Sequence, residues 1–89
     1  MTKEKLSKRD QATEIIQLLR EGRSDEALRL FEKYGFRKEF IGFVIKRGFD
    51  HDDASDLVQE FIIEKLYMKS DSIKNIEFAR TWMYRVLSN

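Results

Sequence analysis

Apolar residues recur at helical spacing along nearly the whole chain, and glycines interrupt the pattern where each run ends. The spacing predicts a first helix over about Lys8 to Glu21, with Ala12, Ile15, Ile16 and Leu19 inward and Gly22 as its stop. Ser24 is the expected cap of a second helix, where Asp25 and Glu26 favour the positive end of the helix dipole. That helix buries Ala27, Leu28 and Phe31, sets Tyr34 at its edge, and ends at Gly35. A third runs from about Phe36 to Arg47, with Phe40, Phe43 and Val44 inward and Gly48 as its stop. Asp50 is placed to cap a fourth, whose first turn holds Asp52 and Asp53. After the polar stretch "KSDSIKNI", Asn75 or Ser72 caps a last helix starting near Glu77. The expected fold is all-α, a compact bundle of four to five helices with short joints.

The fourth helix, within "DDASDLVQEFIIEKLY", has more apolar positions than one core face needs. At about 100° per residue, Ala54, Leu57, Val58 and Phe61 fall on one side with Met68, and Ile62 stands on the shoulder. Asp56, Gln59, Glu60, Ile63 and Tyr67 form a second stripe about half a turn away. Acid, amide and apolar groups at this spacing suit docking on a partner helix. The apolar members exclude water, and the carboxylates select a basic partner. The plainer reading has Ile63 and Tyr67 covering the end of the bundle while the acids stay solvated. A metal site at Asp50, His51, Asp52 and Asp53 is disfavoured, because the run lacks the glycine and distal glutamate of a calcium loop and capping already accounts for acids there.

In "FARTWMYRVLSN" the pattern puts Phe78, Ala79, Trp82, Met83 and Val86 on one side, with Arg85 and Asn89 along its border and Arg80 and Tyr84 elsewhere. Rings, guanidinium groups and an amide on one short helix are the ingredients for holding single-stranded nucleic acid. The plainer reading makes Phe78 and Trp82 core, and Trp82 is expected to be mostly buried. The pattern is still running at "RTWMYRVLSN", which predicts a piece of a longer protein.

Composition narrows the picture. The 89 residues suit one small domain, with no cysteine for disulfides or cysteine-ligated zinc and no proline. A net charge of +1 argues against a uniformly basic nucleic-acid binder, but it conceals asymmetry. Arg37, Lys38, Lys46 and Arg47 stand against only Glu39 in the third helix, whereas the fourth opens with Asp50, Asp52, Asp53, Asp56 and Glu60 before any base. No signal segment or membrane-spanning run is present in the sequence, and a cytoplasmic location is expected. Without a phosphate-binding loop or a nucleophile beside a base, an enzyme is not expected, nor is a cofactor.

Taken in order, these segments resemble the second conserved region of bacterial RNA polymerase sigma factors of the extracytoplasmic-function group. That group shows an acidic D-x-x-D-L-x-Q-E segment followed by an aromatic W-x-Y-R-apolar-apolar-x-N segment. Here they stand as Asp53, Asp56, Leu57, Gln59 and Glu60, then Trp82, Tyr84, Arg85 and Asn89. "EGRSDEALRLFEKYG" is similar to the stretch that leads into the region, and the likeness covers roughly residues 20–89. The resemblance implies that Asp56, Gln59, Glu60 and Ile63, with Tyr67, dock on a coiled coil of the clamp-bearing largest subunit of the RNA polymerase core. It implies that the last helix and its preceding loop hold the single-stranded non-template strand of minus-ten promoter DNA. An unpaired base would enter a pocket made by residues 69–77 with Phe78, Arg85 and Asn89, Trp82 belonging to the same aromatic motif and Lys74, Arg80 and Tyr84 touching the strand. It further implies an anti-sigma factor as a partner and a second promoter-binding domain absent from this chain.

A rival reading takes "LLREGRSDEALRLFEKYG" as a helical-hairpin repeat unit in a protein–protein interaction module without DNA binding. Such repeats need several copies to be stable, and one is present.

Overall fold

The computed structural model describes residues 7–66 and 70–88. Among them it is all-α, a compact bundle of five α-helices: α1 (Lys8–Arg20), α2 (Ser24–Lys33), α3 (Phe36–Lys46), α4 (His51–Glu60) and α5 (Ala79–Ser88). A π-helical segment, Phe61–Leu66, continues α4, and two single 3-10 turns, Ser70–Ser72 and Ile76–Phe78, lie between it and α5. None of the described helices is long and apolar enough to cross a membrane.

The joints follow local chemistry. Gly35 sits at φ +80°, where a Cβ is disfavoured, and so turns the chain directly from α2 into α3. Asp50 caps α4 as expected, its carboxylate accepting the Asp53 N–H at 2.8 Å. The expected Ser24 cap is corrected: Ser24 is already the first residue of α2, and Arg23 at the cap position makes no side-chain cap bond. Arg23 instead grips Glu26 through two hydrogen bonds of 2.8 Å, so a surface ion pair ties down the turn. Asn75, rather than Ser72, caps the entry to the last helix, accepting the Glu77 N–H at 3.1 Å. That entry is a 3-10 turn, and α5 proper begins only at Ala79.

The core runs through all five helices and includes Ala12, Ile15, Ile16, Ala27, Phe31, Phe36, Phe40, Val44, Ala54, Val58, Ala79 and Met83. Phe40 is its hub, with ring centroids 5.7 Å from each of Phe31, Phe36 and Phe61 and 4.9 Å from Tyr84. Edge-on and tilted pairs of this kind add about 0.5–1.5 kcal/mol each beyond their burial.

Two sequence expectations are overturned in α4 and α5. Leu57, expected in the core, is 37 % exposed. The core side of this helix leans instead toward Ile62 and Leu66, both buried. A strict 3.6-residue helix would put Leu66 well off the line of Ala54 and Val58. The wide turn of Phe61–Leu66 absorbs extra chain and swings Leu66 back over the core. Phe78, which the pattern put on the core side, is 55 % exposed, whereas Trp82 packs against the core with only a minor part of its surface open, as expected. The 3-10 turn through Phe78 rotates its ring away from the face that Ala79 and Met83 bury.

Candidate functional site

Two surfaces gather the residues that the pattern singled out. On α4 and its π-helical continuation, Asp56, Gln59, Glu60 and Ile63 are all exposed, and Ile63 shows 55 % of its surface. Leu57, one turn before Glu60, adds a further apolar surface that the core reading had hidden. The helix therefore presents a mixed ridge of acids, an amide and two branched aliphatics. Gln59 is held from its own side of the bundle, its Oε1 accepting from Arg37 Nη1 at 2.9 Å. Arg37 is fixed in turn by Glu32, with Nε donating to Oε2 at 2.5 Å. Tyr67, assigned to the same stripe, lies outside the described residues.

The second surface is a cleft of about 550 Å³ between the 70–78 segment and α5. Ser72, Ile73, Lys74 and Asn75 form one wall, and Phe78, Thr81, Trp82 and Arg85 form the other. Ile73 is buried and roots the first wall in the core. Asn75 spends its carboxamide oxygen on the Glu77 N–H, which fixes the side chain at the rim. Phe78, Thr81, Trp82 and Arg85 recur at three- and four-residue steps, so one stripe of helix meets the loop. Lys74 and Arg85 are exposed and make no hydrogen bond or ion pair with another described residue. The cleft thus offers an open aromatic ring, a partly buried indole and two cations. Its volume falls within the roughly 300–1,000 Å³ typical of small-ligand sites. Asn89 lies outside the described residues.

Arg80 and Tyr84 are placed differently from the other predicted strand contacts. Both reach Glu39 on α3: Arg80 Nη2 donates to Oε2 at 2.7 Å, and the Tyr84 hydroxyl donates to the same oxygen. Lys8 on α1 adds its ammonium at 3.4 Å from Oε1. Burial by itself would raise the Glu39 carboxyl. The hydrogen bonds from Tyr84 and Arg80, with the charges of Arg80 and Lys8, outweigh it and hold the carboxyl below its ordinary value. Burial, and then the bond to Glu39, pushes the Tyr84 phenol up to about 12. Glu39 therefore joins α1, α3 and α5 at one polar node. Arg80 and Tyr84 also border a separate depression of about 320 Å³ with Arg9 and Glu77, divided from the cleft by Phe78 and Thr81.

Sequence reasoning missed Thr81 as a cleft residue, whereas Ser72 and Ile73 belong to the 69–77 stretch that the resemblance implied. Thr81 carried a signal, since it lies three after Phe78 and four before Arg85. The node at Glu39 carried none, because its partners are 31 to 45 residues away. Among the described residues no group of three or more His, Cys, Asp or Glu side chains is placed to hold a metal ion. No protein-family model, curated protein or solved structure gives a significant match to the chain.

Proposed function

We propose that this chain is a transcription-initiation domain of the sigma region-two kind, acting in the cytoplasm with RNA polymerase. In this reading the exposed ridge Asp56, Gln59, Glu60 and Ile63, widened by Leu57, docks on the clamp coiled coil of the largest subunit. The cleft beside α5 receives an unpaired base from the non-template strand of the minus-ten element. Tyr67 and Asn89 join these surfaces by resemblance.

The observation that carries the reading is the cleft: an exposed ring, an indole and two cations converge where the sigma resemblance puts a base pocket. The chemistry required is capture, not bond-making. Extruding a base from duplex costs a few kcal/mol. Stacking on an aromatic ring contributes about 1–3 kcal/mol per base, and phosphate contacts from Lys74 and Arg85 add a salt-dependent share. With their polar ends held by Glu39, Arg80 and Tyr84 serve to orient α5 instead of touching the strand. Gln59 keeps its amide N–H donors for a partner while Arg37 holds its oxygen. An anti-sigma factor would act by covering either surface.

The test uses the whole chain with a randomised pool of single-stranded oligonucleotides and with the isolated clamp coiled coil. Selective retention of minus-ten-like strands is expected, and Arg85→Ala should abolish the selectivity. Glu60→Lys or Ile63→Glu should weaken the coiled-coil pull-down without changing strand binding. A chain that binds the coiled coil but no single strand would favour the protein–protein module instead.

A further inference from the structure

The cleft's loop wall is held from behind by a helix that lies outside the sigma resemblance. Along α1, Arg9, Thr13 and Arg20 lie on one stripe, at i, i+4 and i+11. Each reaches a main-chain carbonyl of the segment that enters α5. Arg9 Nε donates to Glu77 O at 3.2 Å, the Thr13 hydroxyl shares its one proton between Ile76 O and the Arg9 O of its own helix, both at 3.0 Å, and Arg20 Nη2 donates to Ile73 O at 2.5 Å. The carbonyls are met in the order 77, 76, 73 as α1 runs from 9 to 20, so the segment lies antiparallel to the helix. Arg9 also pairs with the Glu77 carboxylate at 3.0 Å and lies 5.8 Å from the Phe78 ring centroid.

A segment of two isolated 3-10 turns has almost no regular backbone bonding of its own. All three carbonyls belong to residues in or beside the cleft wall, Ile73 in it, Ile76 next to Asn75 and Glu77 next to Phe78. We infer that the Arg9–Thr13–Arg20 stripe of α1 is a splint that sets the loop's conformation and so the affinity and base selectivity of the cleft. These three are positioning residues: they act through the backbone of the loop, and none of them lines the cleft itself. The inference rests on the proposed strand capture, and it extends the functional unit to a helix with no part in the family likeness.

The test combines Thr13→Val, which keeps shape and removes the hydroxyl, with Arg20→Met, which keeps the apolar stem. Two readouts are taken on the whole chain. One is amide hydrogen exchange across the loop, with α3 as an internal control. The other is affinity for the best oligonucleotide from the randomised pool, compared with the same strand abasic at the captured position. The double variant should exchange at least tenfold faster at residues 73–79, with α3 unchanged. It should also lose most of the wild-type preference for the base-containing strand, and Thr13→Ser with Arg20→Lys should restore both. If the double variant fails to fold, Thr13→Val alone is read in the same way. Unchanged loop exchange, or faster exchange with base preference intact, would overturn the splint. A wild-type chain indifferent to single strands would overturn the proposed function itself, and that failure appears before any variant is made.

Discussion

Glu39 is the residue whose loss should be felt most widely. Its carboxylate, 19 % exposed, accepts from Arg80 and Tyr84 and faces Lys8, so Glu39→Ala strips three groups on two other helices of one shared partner. The charge-assisted bond to Arg80 is worth about 1.5–3 kcal/mol and the phenol bond about 1 kcal/mol. Lys8 and Arg80 are each 40 % exposed, so water recovers part of their loss and the Lys8 pair adds little. The expected net loss is about 2–3 kcal/mol. For a chain of this size that lowers the melting temperature by roughly 10–20 °C. Glu39→Gln keeps an acceptor for the phenol and should lose about half as much. Urea denaturation followed by circular dichroism reads both values. A Glu39→Ala chain within about 0.5 kcal/mol of wild type, or a Gln variant no better than Ala, would refute the account of the node as a shared acceptor.

Three further outcomes are expected. Phe78→Ala should weaken single-strand binding by about 1–3 kcal/mol in a titration while leaving the melting temperature nearly unchanged, since the ring is largely in water. The Tyr84 phenol is raised to about 12 from 10.0, so the folded chain keeps a proton there that the unfolded chain loses. Stability from this group is full below about pH 10 and declines as pH rises toward 12, and Tyr84→Phe should flatten that decline in an alkaline denaturation series. Gly35→Ala should cost about 1–2 kcal/mol by thermal unfolding, because φ +80° is left-handed backbone that a Cβ opposes.

Most of the bundle could be read ahead of the structure because its signals are local. Gly22, Gly35 and Gly48 stop helices by adopting positive φ, and Asp50 caps with its own side chain. The exposed ridge on α4 was legible for the same reason, a simple angular count along one helix. What escaped depends on departures from ideal geometry or on distant partners. The wide turn at Phe61–Leu66 shifted the core side and expelled Leu57, and no residue in "FIIEKL" announces such a turn. A 3-10 entry turned Phe78 outward, against an angular count that began the helix too early. Arg80 and Tyr84 read as free surface groups because Glu39, which holds them, arrives from another helix altogether.

The wide turn also gives the chain a built-in unit of slack. It lets one continuous rod satisfy two demands that a uniform helix would set against each other, an outward edge up to Ile63 and an anchored Leu66 after it. Removing a single residue there would tighten the coil to ordinary pitch and leave Leu66 facing nearly the same way, because five steps of the wide turn and four of an α-helix each come to little more than one full revolution. A one-residue deletion between 61 and 66 should therefore be absorbed far better than the same deletion within His51–Glu60, which would turn the core side of the helix by about 100°.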